Sequence, residues 1–283
     1  MPIRNLSKKR QRLNLWLRMR ELYIRSYFKS LGHEKHFAGI ESYCMFIGYP
    51  RSGHSLIGSL LDAHPNIIIA HELDVLKYIQ EGFSKRQIFY LLLENSRRFT
   101  QVGREWSGYA YAVRNQWNGK FRQLKVIGDK KGGGSSRRLG RNPELFQDLK
   151  RTIDIDQKYI HVIRNPYDNI STMSKRRGEG LSKSIDRYFS RCKTVANINA
   201  MVDREKWFDV RHEALIDNPQ YWLMKLCQFL GQNTSDDYLN DCASIVRKSP
   251  HKTRHEAHWT RELMQRVENE RERYPFLHSY TFD

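Results

Sequence analysis

Residues 43–64 read YCMFIGYPRSGHSLIGSLLDAH. An apolar run with strand character, YCMFIG (43–48), leads into the loop GYPRSGHS (48–55), and a helix-forming run, HSLIGSLLDAH (54–64), leaves it. Such a loop aims unpaired backbone N–H groups and the positive end of a helix dipole at whatever occupies it, so the context signals an anion cradle. It fits G-x-x-x-x-G-K-[ST] at every position but one: His54 replaces the lysine that grips a nucleoside triphosphate, and a cation stands earlier, as Arg51. Gly53 permits close backbone approach, while Ser52 and Ser55 add hydroxyl donors. A bare G-x-x-x-x-G is equally a turn that needs glycine for its geometry alone, so the companions of the loop carry the decision.

Outward from the loop, short β-rich runs alternate with helical ones. The runs are NIIIA (66–70), LKVIGD (124–129), KYIHVI (158–163) and WFDVR (207–211), and helical patterns cover 54–63, 84–99, 143–150, 167–177, 182–203, 219–230 and 236–247. Asn142-Pro143 and Asn218-Pro219 supply helix-start signals. This alternation predicts an α/β fold, a central parallel sheet flanked by helices. Ligands in that architecture gather at the carboxyl ends of the strands, where the loop, Glu72, Asp129-Lys130 and Arg164 all fall.

A second constellation is IHVIRNPYDNISTMSKR (160–176). An apolar strand ends in Arg164, Pro166 sets a helix start, and Thr172 lies about two turns on, so guanidinium and hydroxyl can converge on one phosphate. The bland account is an ordinary helix start with Asp168 facing the dipole. Two phosphate sites on one sheet, however, imply a ligand with two well-separated phosphates.

The balance of 49 Lys+Arg against 31 Asp+Glu in 283 residues, a formal +18, points to an anionic partner: nucleic acid, an anionic membrane surface or a polyphosphorylated cofactor. Residues 6–31 place Leu13, Trp16, Leu17, Ile24, Tyr27, Phe28 and Leu31 at helical spacing with Arg12, Arg18, Arg25 and Lys29 around the other sides. This basic amphipathic helix either packs on the domain or lies on an anionic membrane. Residues 103–123 interleave Trp106, Tyr109, Tyr111, Trp117 and Phe121 with Arg104, Arg114, Lys120 and Arg122. They read as an insertion lining an acceptor groove; without an OB or RRM pattern around them, nucleic acid is the weaker account. GGGSS (132–136) reads as a short flexible loop. Cys44, Cys192, Cys227 and Cys242 include no C-x-x-C pair and imply no disulfide framework. No run approaches the ~18 apolar residues of a membrane span, so the expected location is cytoplasmic, with peripheral membrane contact as the variant. His251, His255 and His258 lack the order of a zinc motif, and no metal is expected.

PRSGHSLIGSLLDAHPN followed by VIRNPYDNIST resembles the two signature motifs of sulfotransferases that use 3′-phosphoadenosine-5′-phosphosulfate (PAPS). WFDVRHEALIDNPQYWLMKLCQFLG (207–231) is similar to that family's late strand and helix, and HKTRHEAHW (251–259) falls where it has a basic cofactor-covering segment. The resemblance spans about 43–259 and implies a P-loop-like three-layer fold, with a helical extension over 1–39 and the sulfotransferase domain over 40–283. It implies PAPS as donor, adenosine 3′,5′-bisphosphate as product, and no metal. Carried over, Arg51, Ser52, Gly53, His54 and Ser55 bind the 5′-phosphosulfate. Arg164 and Thr172 hold the 3′-phosphate, with Ser171 as the neighbouring hydroxyl, and Lys252 and Arg254 cover the cofactor with Trp259 behind them. The family usually has threonines where His54 and Ser55 stand, which leaves the role of His54 open.

The closest local match is to tyrosylprotein sulfotransferases and their bacterial relatives. In their pattern Glu72 is the catalytic base, with His71 as rival, and Lys130, or its neighbour Lys131, offsets charge on the leaving phosphate. The acceptor is a hydroxyl on a carbohydrate, a protein tyrosine or a small alcohol, and the basic balance favours an acidic one. The alternatives are a P-loop nucleotide-dependent kinase and a non-catalytic nucleic-acid- or membrane-binding module on the same fold.

Overall fold

The computed structural model describes residues 3–283; residues 1 and 2 of the N-terminal extension and the side chains of residues 3–10 and of Arg12 lie outside the described part. The chain begins with α1 (Ile3–Leu31) and the short α2 (Glu34–Phe37) before entering the central strand β1 (Ser42–Gly48). The loop then gives α3 (His54–Asp62), β2 (Ile67–Ala70), α4 (Val75–Gln80) and α5 (Lys85–Gln101). A two-stranded antiparallel hairpin, β3 (Glu105–Trp106) and β4 (Tyr109–Ala110), precedes β5 (Val126–Asp129), α6 (Gly133–Arg141) and α7 (Leu145–Thr152). The chain continues through β6 (Asp156–Ile163), α8 (Pro166–Arg177), α9 (Leu181–Asn199) and β7 (Trp207–Arg211). It closes with α10 (His212–Asp217), α11 (Pro219–Phe229), α12 (Asp236–Ser244) and α13 (Arg261–Arg271).

The main sheet is parallel throughout, in the order β2-β5-β1-β6-β7. Alternate residues of β1 serve two cores: Tyr43, Met45 and Ile47 pack on one face, Cys44 and Phe46 on the other. A strand buried on both faces is why its sequence is continuously apolar. The cap signals work as written: Asn165 accepts from Tyr167 N at 3.0 Å with Pro166 in the first turn of α8, and Asn218 does the same for α11. All four cysteines are free and buried.

Two expectations need correction. GGGSS (132–136) is not a loop beyond its first residue; it opens α6, where Ser136 Oγ accepts from Gly48 N at 2.9 Å and ties the helix to the end of β1. The helix expected at 143–150 starts later, at Leu145, because Pro143 and Glu144 form a turn closed by Leu145 N donating to Asn142 O. In α1 the apolar face named from periodicity does not pack on the core; Ser26 and Ser30 are buried on the other side, where Gln87 Nε2 donates to Tyr23 O at 2.9 Å and to Ser26 Oγ at 3.2 Å. Helices α2, α4, α10 and α13 lie outside the helical patterns read from the sequence. No described helix is long and apolar enough to cross a membrane.

Candidate active site

A cleft of about 800 Å³ opens over the carboxyl ends of the parallel strands. The loop after β1 forms its floor. Arg51 and Gly53 both take left-handed backbone, with φ of 72° and 100°. At Gly53 a Cβ would stand 2.3 Å from His212 Nδ1, the first residue after β7, so glycine is required there by space as well as by φ. The side chains of the two loop serines diverge. Ser52 is buried beneath the loop and donates to Tyr49 O at 2.9 Å, whereas Ser55 opens on the cleft.

His54 lies at the former lysine position but does not supply a lysine's charge. Its Nε2 is 3.1 Å from Ile47 O, a pure acceptor, so that nitrogen carries the proton; Nδ1 sits 3.0 Å from Ser52 Oγ. Burial pushes its pKa down to about 4, leaving a neutral ring that fills the floor between Gly48 and Gly132. A Cβ on Gly132, whose φ is 47°, would come within 2.7 Å of that ring.

The catalytic candidates converge from neighbouring strands. Lys130 follows β5 and extends a buried side chain whose Nζ is 2.9 Å from Ser55 Oγ and 3.2 Å from Glu72 Oε1. Lys131 Nζ reaches Glu72 Oε2 at 3.3 Å, so both lysines meet the carboxylate but only Lys130 also meets the loop. Burial lowers the Lys130 pKa to about 8 against the pull of Glu72. For Glu72, burial pushes upward, yet the two ammoniums prevail and hold the carboxyl below the usual range. The turn presenting Glu72 is itself held: Asp129 accepts from the backbone N–H groups of Leu73, Asp74 and Val75 at 3.1, 2.8 and 3.0 Å. In the sequence Asp129 marks only a strand end. Its carboxylate serves as a clamp on the 72–75 turn, with its pKa raised to about 6 by burial.

His71 does not join this group. Its ring stacks on Phe99 at 3.9 Å, burial followed by Lys130 pushes its pKa to about 3, and it does not line the cleft.

Across the cleft, Arg164 Nη1 donates to Arg51 O at 3.1 Å and to Thr172 Oγ1 at 3.3 Å, while Nη2 donates to His251 O at 2.6 Å. Thr172 Oγ1 lies 2.9 Å from Thr253 Oγ1. Each of these acceptors is a neutral oxygen, so the cationic charge of Arg164 has no carboxylate bonded to it. Thr253 lines the cleft from within the HKTRHEAHW segment, where the sequence marks only the neighbouring cations Lys252 and Arg254 as candidates.

Three other expected residues turn away. Ser171 Oγ accepts from Trp259 Nε1 at 3.0 Å, outside the cleft lining. Arg254 is buried in an ion pair with Asp168, Nη1 to Oδ2 at 2.7 Å, with its backbone N on Oδ1 at 2.8 Å. It anchors the 251–256 segment instead of covering a ligand. Lys252 is exposed and does not line the cleft. The 103–123 insertion does reach the mouth: Trp106, Tyr109 and Tyr111 line it, with Arg247 4.7 Å above the Tyr109 ring. The insertion is pinned beneath by a buried pair, Arg104 to Asp62 at 2.7 Å.

A parallel sheet with an anion-cradling loop at the end of its central strand, and cationic side chains at the neighbouring strand ends, defines the P-loop-like three-layer class. Within that class the chain belongs to the sulfotransferase family, whose model matches residues 45–236. Among solved structures it is similar to the sulfotransferase domain of the olefin synthase from Synechococcus PCC 7002, at 16% identity and a TM-score of 0.56 over 83% of this chain and 94% of that one. The sulfotransferase domain from the curacin biosynthetic pathway gives 16% and 0.51 over 86% and 99%. Sulfotransferase STF9 from Mycobacterium avium gives 10% and 0.51 over 88% and 81%. At these identities the likeness is one of fold. No curated protein sequence matches the chain.

Proposed function

We propose that the protein transfers a sulfuryl group from PAPS to a hydroxyl of an anionic acceptor, releasing adenosine 3′,5′-bisphosphate. The observation that carries this is the placement of two phosphate-type sites, the loop at 51–55 and the Arg164–Thr172 pair, on either side of one cleft with Glu72 and Lys130 inside it. The donor supplies an activated sulfuryl group. The loop N–H groups, Arg51 and Ser55 hold its 5′ end, and Arg164, Thr172 and Thr253 hold its 3′-phosphate. The residues fit such a group, since Arg51, Gly53 and Ser55 line the cleft and the guanidinium of Arg164 is bonded to no carboxylate.

Glu72 takes the proton from the acceptor hydroxyl as its oxygen bonds to sulfur and the bond from sulfur to the 5′-phosphate oxygen breaks. Lys130 opposes the charge left on that phosphate. Glu72 held between two ammoniums is a weak base. When Lys130 turns toward the leaving oxygen, the carboxylate loses one of its two cations and its proton affinity rises. The cleft is cationic beyond these contacts: Arg137, Arg176 and Arg191 line it, and none is within ion-pair reach of an acid among the described residues. Arg191 is buried, with guanidinium bonds to the carbonyls of Gly133 and Arg187, and burial together with the surrounding arginines lowers its pKa to about 10. An anionic acceptor relieves that repulsion.

For the kinase alternative, position 54 holds a neutral imidazole, and the strand-end Asp129 directs its oxygens to backbone amides. The test is ligand linkage: adenosine 3′,5′-bisphosphate raises the melting temperature, and Mg-ATP raises it far less. Equal shifts overturn the assignment. Labelled PAPS offered to acidic and neutral hydroxyl acceptors then identifies the acceptor class.

A further inference from the structure

We propose that α1 docks the protein onto an anionic lipid surface. At 100° per residue, Leu13, Trp16, Leu17, Ile24, Phe28 and Leu31 fall within one stripe, and every one of them is exposed, Phe28 to 65% and Trp16 to 51%. The opposite side of the same helix meets the body, through buried Ser26 and Ser30 and the partly buried Met19 and Leu22. The helix therefore packs on the fold through Met19, Leu22, Ser26 and Ser30 and leaves a longer row of large apolar side chains bare.

Isolated exposed apolar residues are ordinary; a continuous row running most of the length of a helix is not. The cations say what covers it. Arg18, Arg20, Arg25 and Lys29 are all exposed on this stretch, and the only acid in the helix is Glu21. Arg20 lies inside the stripe, its guanidinium 4.9 Å from the Trp16 ring centroid. A second copy is a poor occupant: the spacing Leu13, Leu17, Arg20, Ile24, Tyr27, Leu31 would face Arg20 with Arg20 in a parallel pair, a buried like-charge contact. A lipid surface has no such conflict. The apolar side chains enter the acyl boundary, Trp16 sits at headgroup level, and the arginine stems lie along the apolar surface with their charges among lipid phosphates. The helix lies on the surface and does not cross it.

The test is sedimentation of the full chain with vesicles of phosphatidylcholine alone or mixed with phosphatidylglycerol. Binding is expected to the mixed vesicles only, falling as salt is raised from about 0.1 to about 1 M. Trp16→Glu combined with Phe28→Glu lowers partitioning by about 100-fold or more. Arg18→Ala and Arg25→Ala each lower it about fivefold while leaving the apolar stripe intact. Because these side chains are exposed, the melting temperature and helix content of each variant match the parent, which separates lost docking from lost fold. Equal binding to neutral vesicles, undiminished binding by the double variant, or absence of binding overturns the proposal. So does a solution dimer that the glutamate substitutions convert to monomer, which would assign the stripe to a second copy.

Discussion

Glu72 and Lys130 meet at 3.2 Å from the ends of neighbouring strands, the carboxylate on a left-handed residue with φ 61° and the ammonium buried. Non-glycine backbone in that region is held at a cost, and here the Asp129 clamp on the following turn holds it. The contact couples the proposed base to the proposed leaving-group cation, so neither titrates alone.

Glu72→Gln keeps the shape and the hydrogen bonds but accepts no proton. Single-turnover rates are expected to fall by about 10²–10⁴-fold with adenosine 3′,5′-bisphosphate affinity nearly unchanged. His71→Asn, altering a ring stacked away from the cleft, is expected to change the rate far less. A fast glutamine variant beside a dead asparagine variant would move the base to His71.

Lys130 sets an alkaline limit. Its pKa is lowered to about 8, so in the free enzyme its charge is present below that pH and lost above it. The profile of kcat/KM is expected to fall as pH rises through about 8. Lys130→Arg, always charged, is expected to remove that limb even where its geometry lowers the plateau. An unchanged limb in the arginine variant assigns the titration elsewhere. A bound anionic donor stabilises the charged form, so the limb of kcat lies at higher pH than that of kcat/KM.

Much of this was legible because motif and fold speak through spacing. Apolar runs of strand length separated by helical periods gave the sheet, and Arg51, Ser55, Glu72, Lys130 and Arg164 fall at strand ends or helix starts whose position follows from topology, with Thr172 about two turns into α8. Side-chain direction is another matter. Ser52 and Ser55 look alike in sequence, yet one is a strut beneath the loop and the other opens on the cleft. Arg254 in a basic segment looks like a ligand contact until Asp168, a helix-start acid far away in sequence, proves to be its partner. The glycines of 132–134 suggested a loop because propensity counts against them in a helix, whereas close packing requires them: a Cβ on Gly133 would lie 2.5 Å from Pro50.

The 3′-phosphate assignment separates two donors. Arg164→Ala is expected to weaken adenosine 3′,5′-bisphosphate binding by about tenfold or more, the size of a lost charge-assisted bond. Adenosine 5′-phosphosulfate, which lacks the 3′-phosphate, should be affected much less. Calorimetric titration of both ligands checks this. Equal weakening would mean that Arg164 serves the loop through its bond to Arg51 O and does not read the phosphate.

The last prediction concerns what holds the 251–256 segment against the cleft. Asp168 Oδ2 and Arg254 Nη1 are both almost fully buried, and the same carboxylate caps the Arg254 backbone N–H. Removing one partner leaves the other charged and buried, so Asp168→Ala is expected to cost about 3–5 kcal/mol of stability. Replacing both, Asp168→Leu with Arg254→Met, removes the stranded charge and is expected to recover most of that loss. Thr253 Oγ1 also donates to Asp168 O at 2.8 Å, a backbone bond that both variants keep. The double variant should therefore melt close to the parent and still bind adenosine 3′,5′-bisphosphate through Thr253 and Arg164. Denaturant unfolding beside ligand titration measures both quantities. A double variant as stable as the parent but unable to bind would show that Arg254 acts on the ligand after all.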